Sequence, residues 1–381
     1  MSSTTLQLVN SDLLASETAA PFRLGYRPAL DGLRGIAILA VLAFHTHHIF
    51  GWSILNGGNV GVDIFFVLSG FLITALLIEE WQGNGGISLK GFYWRRVLRL
   101  VPALLVLLAA LYLFADIFFP ANETADTRRS IPVAFFYASD FGLAFFQLRL
   151  GALQHTWSVA IEEHFYLVWP LFLLLALKLG ASRRRLVVLT LTLAVASAVH
   201  RAVLHQLGAP SVRTYYGVDT RADGLLIGCA TAMCVCWGFL RAHSLRLSVI
   251  PALVVIGALM FAGSYSTPFM HLGGFTLLAM ATAVVIVWVV LAPSGYLRGF
   301  LEYRPLVWVG RISYGLYLWH YPIFKAASVL RLAWPLQLLL AVTATLTVTS
   351  LSYYLIERPA LKLKTRISLR PSAISALRTP L

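Results

Sequence analysis

Residues 30–48, LDGLRGIAILAVLAFHTHH, decide how this chain is built. The stretch is apolar except for Asp31 and Arg34 near one end and a polar group beginning at His45 near the other. Eleven residues at 1.5 Å rise put Arg34 and His45 about 16 Å apart along a helix. That is more than half of a hydrocarbon core about 30 Å thick. Ionisable groups are costly in a membrane segment and mark pathways or reaction sites. The stretch therefore reads as a membrane-spanning helix with a polar site towards each end.

The rest of the chain supports that reading. Of 381 residues, 59% are hydrophobic and 12% charged, with mean hydropathy +0.77. Soluble domains carry about a quarter charged residues, so the expected class is all-α and polytopic. Apolar runs fall at 30–50, 60–79, 97–119, 155–178, 186–204, 222–240, 247–263, 272–292, 306–327 and 334–356. A further run at 131–146 is short and interrupted by Ser139, Asp140 and Gly142. With the N-terminus inside and ten crossings, 22 of the 30 Lys and Arg fall on the inner side. Letting 131–146 cross would turn the Arg183–Arg185 run outward, against the positive-inside rule. About ten spans, a re-entrant or interfacial 131–146 and two cytoplasmic termini are thus expected. The same count accounts for much of the +14 net charge without nucleic acid. Residues 1–25 lack a secretory signal and read as a disordered cytoplasmic tail. Residues 26–358 form one membrane domain, and 359–381 a second cytoplasmic tail. Cys229, Cys234 and Cys236 sit in one apolar run without metal-ligand spacing and read as small hydrophobes. No metal site is expected.

With this topology the polar residues sort by side. His45, Asp63, Glu162, Glu163, His164, Tyr317 and His320 gather towards the outer side. A His beside a carboxylate is the minimal general-base unit, and Asp63 or Glu162 is the carboxylate expected to orient His45. Arg221 and Asp223 are open between a structural ion pair and part of the site. His47, His48, His155, His205, His243 and His271 read as loop or interface residues. On the inner side Arg95, Arg96 and Arg99 can share a helical face. With Arg34 they suit a polyanionic phosphate ligand, or serve only as a positive-inside anchor on lipid head groups.

The stretches LDGLRGIAILAVLAFH, GVDIFFVLSGFLIT, FYWRRVLRLVP, HTWSVAIEEHFYLVWPL, DTRADGLLIG and GRISYGLYLWHYPI together resemble the acyltransferase-3 family of integral-membrane O-acyltransferases. The resemblance covers nearly all of residues 26–358. It implies that His45 is the catalytic His, that Arg34 is its paired Arg, and that Arg96 and Arg99 form an R-x-x-R motif linked to acyl-CoA. Asp63 and Glu162 fall on polar positions of two family segments, and His164 stands where Gln is expected. Some relatives carry an extra SGNH-type domain. This chain stops about twenty residues past its last span, so transfer within the membrane domain or to a separate partner is expected.

The expected function is acyl transfer, acetyl by default, from cytosolic acyl-CoA to a hydroxyl of a glycan, glycolipid or glycosylated metabolite at the bacterial inner membrane. Acyl-CoA is a co-substrate rather than a resident cofactor. The alternative is a proton-coupled transporter or flippase, in which the outer His and carboxylates form a proton relay.

Overall fold

Each apolar run becomes a helix whose ends are set by local chemistry. The first, α1 (Pro28–Phe50), starts with proline at its N-terminus and stops at Gly51, whose left-handed backbone (φ 76°) lets its N–H bond His47 O. α2 (Val60–Asn84) ends in the same way on Gly85 at φ 66°. α3 (Leu89–Phe118) begins where Ser88 Oγ accepts from Gly91 N. The computed structural model describes residues 22–51, 55–240, 248–292 and 294–362. Most of the two expected tails, and His243, Arg241 and Arg246, lie outside the described residues.

Two short helices follow, α4 (Ala121–Phe135) and α5 (Ser139–Phe146). The 131–146 run is broken between them at residues 136–138, where Tyr137 adopts φ 54°, so it contains no helix long enough to cross. A 3-10 turn (Gly151–Thr156) leads into α6 (Trp157–Lys178), followed by α7 (Arg183–Gln206), α8 (Ser211–Tyr216) and α9 (Val218–Cys236). Next come α10 (Val249–Ala262), a π turn (Met270–Gly274) and α11 (Phe275–Leu291). The chain closes with α12 (Tyr296–Leu301), α13 (Arg304–Arg311), α14 (Ser313–Ser328), α15 (Trp334–Ser352) and a final π turn (Tyr353–Glu357).

The protein is an all-α polytopic membrane protein. Among the described residues, seven helices are long and apolar enough to cross: α1, α2, α3, α6, α7, α11 and α15, counting the turns continuous with them. The other three apolar runs also form helices, but less regular ones. α9 carries Asp219, Arg221 and Asp223 in its first turns, and α10 is only 14 residues long. The 306–327 run is two helices, α13 and α14, meeting at Ile312.

α2 is the central helix. It is apolar all round and packs against α9, α1 and α11. Small residues let the helices approach: a Cβ at Gly70 of α2 would stand 2.0 Å from Leu225 O, and one at Gly228 of α9 2.2 Å from Val67 O. The same seam holds a buried polar network. Arg221 Nη2 lies 2.5 Å from Asp63 Oδ1, and its guanidinium lies 3.7 Å from the Phe275 ring centroid. Asp223 instead receives Arg201 Nη1 at 2.9 Å and Thr276 Oγ1 at 2.6 Å. Arg221 and Asp223 are therefore not a pair. Each closes a different helix–helix seam, because at i and i+2 they point to different sides of α9. The cysteines are free, with Cys229 and Cys236 buried.

Candidate active site

His45 sits near the end of α1, its Nδ1 3.0 Å from Val41 O and 3.1 Å from His320 Nε2. His320 belongs to α14, is fully buried, and holds its own Nδ1 2.9 Å from Leu316 O. A carbonyl oxygen only accepts, so His320 Nδ1 carries the hydrogen and, in the neutral ring, Nε2 keeps a lone pair. That lone pair and Val41 O share the one hydrogen on His45 Nδ1, which leaves His45 Nε2 with its own lone pair. The ring lines a cavity of about 390 Å³, with Asn59, Gln154, His155, Trp157 and Lys325 among the other lining residues. Tyr215, Tyr216, Tyr265, Tyr317 and Tyr321 supply aromatic walls. Tyr216 lies outside the spans, and burial pushes its hydroxyl up to about 12, so it remains a donor at neutral pH. Tyr317 is fixed by Ser158 Oγ at 2.6 Å and by donating to His155 O at 2.7 Å.

Below this lies a smaller polar cavity of about 200 Å³. Arg34 lines it and donates to Ser313 Oγ from Nε (3.3 Å) and Nη2 (3.1 Å). Glu162 lines it too, accepting from Tyr166 OH at 2.7 Å and Ser69 Oγ at 3.1 Å. At the far end a third cavity, about 530 Å³, is lined by Arg23, Arg95, Arg96, Arg99, Glu79 and Glu80, among others. Arg95 is turned towards Glu80 at 3.4 Å, and Arg96 stacks over Tyr166 at 4.3 Å.

The three cavities run in series. Leu76, Arg96 and Arg99 line both the basic mouth and the middle cavity. Val62 and Tyr317 line both the middle and the His45 cavity. The passage is this row of adjoining cavities, which runs from a cluster of arginines, past Arg34 and Glu162, to an imidazole with a free lone pair; the shared residues make the cavities neighbours. Such a path can anchor phosphates at one end and move a proton at the other.

The structure brings Arg34, Arg95, Arg96, Arg99, Glu162 and His45 onto one passage, but neither expected carboxylate onto His45. Asp63 is committed to Arg221, and Glu162 stands one cavity away. The group that orients His45 is another imidazole. His155 and His271, expected in loops or at interfaces, are buried: His155 Nε2 bonds Leu318 O at 3.1 Å, and His271 Nδ1 meets Thr214 Oγ1 at 2.9 Å. The sequence reading placed His320 in the outer group without a role and His155 among loop or interface residues, and it did not name Ser313. The only sequence signal for His320 was its depth, shared with His45.

The family profile described as an acyltransferase domain, that of the acyltransferase-3 group, matches residues 27–357. The chain belongs to the acyltransferase-3 family. Similar curated proteins include the peptidoglycan O-acetyltransferase OatA of Listeria monocytogenes, 36% identical over 356 residues, covering 88% of this chain and 56% of that protein. The putative peptidoglycan O-acetyltransferase YrhL of Bacillus subtilis is also 36% identical, over 88% of this chain and 55% of its own length. The O-acetyltransferase OatA of Staphylococcus aureus is 33% identical, over 88% and 57%. This acyltransferase-3 chain thus spans little more than half the length of the curated relatives it matches. No solved structure matches it.

Proposed function

We propose that the protein transfers a short acyl group, acetyl by default, from acyl-CoA to a hydroxyl of a cell-surface glycan, with peptidoglycan as the first acceptor to test. The donor's phosphates bind among Arg95, Arg96, Arg99 and Arg34 at the cytoplasmic mouth, and its pantetheine arm extends through the middle cavity. The acceptor occupies the aromatic cavity, where sugar faces can stack on tyrosine and hydroxyls meet Tyr216 and Gln154. His45 Nε2 takes the proton of the acceptor hydroxyl as its oxygen attacks the thioester carbonyl. The C–S bond breaks, and the imidazolium returns the proton to the departing thiolate, leaving CoA thiol and the ester. The observation that carries this reading is the passage joining the arginines to the lone pair of His45.

Protein reconstituted in liposomes with acetyl-CoA and a peptidoglycan oligosaccharide should release free thiol and form an acetyl ester. His45→Ala should lower transfer by roughly 10²–10⁴-fold while the protein stays folded. Undiminished transfer by that variant would overturn the proposal. Such a passage also suits the rival reading, a proton-coupled transporter. That reading is favoured if solute flux occurs without thiol release.

A further inference from the structure

Glu163 follows Glu162 on α6 but turns away from the passage into a separate recess of about 250 Å³, between α3, α6 and the turn joining α4 to α5. Three polar atoms at this recess are buried without a hydrogen-bond partner among the described residues: Glu163 Oε1, the Tyr137 hydroxyl and His164 Nδ1. His164 lines it as well, its Nδ1 3.3 Å from the buried Asp140 Oδ2. Unpartnered buried groups are a cost that a native site normally removes. Tyr137 itself, at φ 54°, is the left-handed residue that closes α4, with its N–H on Ala134 O at 3.1 Å and the Ala138 N–H on Val133 O at 2.8 Å. Unpartnered polar groups gathered at one recess point to an occupant that pairs with them.

Position and chemistry define that occupant. The rim is apolar and exposed on the lipid side, with Val97 at 43%, Phe136 at 74% and Leu167 at 63% exposure. Glu163 lies twelve residues from Gly151 and fifteen from Lys178, the ends of its span. At 1.5 Å rise that is about 18 Å and 22 Å, near the bilayer midplane. Arg96 also lines the recess, but it is stacked over Tyr166 at 4.3 Å, and an anionic head group would meet the Glu163 carboxylate beside it. A charged group reaches that depth only at high cost, whereas a lone hydroxyl does so readily. Burial and the neighbouring Glu163 hold the Tyr137 hydroxyl above its ordinary range, so it stays a donor. Glu163 Oε1 accepts. A hydroxyl does both, and answers the two groups at once.

We propose that this recess binds the uncharged hydroxyl head of a bilayer lipid alcohol, with its tail along Val97, Phe136 and Leu167. The inference does not depend on the acyl-transfer reading. The occupant would nevertheless lie against the wall of the passage, because Arg96, Leu100 and Tyr166 line both spaces.

The test uses the full chain in phosphatidylcholine vesicles with a trace of diacylglycerol bearing a diazirine on one acyl chain. Photolabel should map to residues 133–141 and 163–168. The double variant Tyr137→Phe, Glu163→Leu should lose roughly ten-fold of that label, and His45→Ala none. Tyr137→Phe alone, which removes a single oxygen, should lose roughly three-fold and carries the test if the double variant does not fold. A phosphatidylcholine probe with the same diazirine chain should label the recess far less. Equal labelling by that probe, label elsewhere only, or label insensitive to both variants would overturn the proposal.

Discussion

A carboxylate beside a catalytic imidazole stabilises its positive charge, whereas a second imidazole mainly fixes its tautomer. His45 has the second arrangement, with His320 as acceptor for its Nδ1–H and Leu316 O holding His320 in place. In the proposed transfer, a charge formed on His45 would have no anion at contact distance among the described residues, which would favour rapid return of the proton to the leaving thiolate. His320→Ala should therefore lower kcat by roughly 10²-fold through misplacement of His45, with KM for acyl-CoA nearly unchanged. His320→Gln, whose Oε1 can accept from Nδ1–H, should recover part of the loss. Equal activity in wild type and His320→Ala would show that the contact has no positioning role. His45 and Arg34 stand out in the sequence because each is a polar residue on an apolar helix, and the structure places both along the row of cavities. The sequence reading misassigned the partner because depth along a helix says nothing about which way a neighbouring helix turns its side chains. Asp63 is committed to Arg221, whereas His45 meets His320 and Val41 O.

Most of the helices were legible as apolar runs, with ends where glycine, serine or proline punctuates them. The exceptions are runs whose composition hides a break: 306–327 divides at Ile312, and 131–146 divides at Tyr137. Backbone breaks inside apolar sequence depend on tertiary neighbours, which periodicity does not record. The pairing of α2 with α9 was equally hidden. It depends on Gly70 and Gly228 for close approach and on Asp63–Arg221 for specificity. Removing one member of a buried ion pair leaves the other charge uncompensated, at about 3–5 kcal/mol. Asp63→Asn should thus lower the thermal unfolding midpoint in detergent and the yield of folded protein. Activity per folded molecule should stay close to wild type. Asp63→Leu combined with Arg221→Met should restore much of the stability. If Asp63→Asn keeps its midpoint but loses turnover, Asp63 belongs to the chemistry after all.

At the scale of the molecule, the spacing of Arg34 and His45 had implied an axis of about 16 Å, and the structure shows what runs beside that axis. Three cavities meet end to end, and the last junction is lined by Val62 and Tyr317. Tyr317 is held by two hydrogen bonds, so the width at that point depends on Val62, which is almost fully buried. No linear pattern in the sequence encodes such a neck, because its two sides come from helices some 250 residues apart in a chain of 381. If the passage carries the donor arm, the two ends of the protein have separable tasks, and a plug at the neck separates them. Val62→Trp adds a bulky ring there at a cost of about 1–3 kcal/mol in packing, which a multi-span domain can absorb. Acyl-CoA should still bind the arginine mouth within roughly two-fold of wild type, because charge–phosphate contacts there are untouched. Transfer to the acceptor should fall by roughly 10²-fold or more, since the thioester no longer reaches His45. Val62→Ala should keep both. Raising ionic strength on the wild type should do the reverse of the plug, weakening donor binding at the exposed arginines while turnover at saturating donor holds. If Val62→Trp transfers at the wild-type rate, the donor does not travel through the neck. Loss of binding and transfer together would mean instead that the mouth and the neck move as one unit.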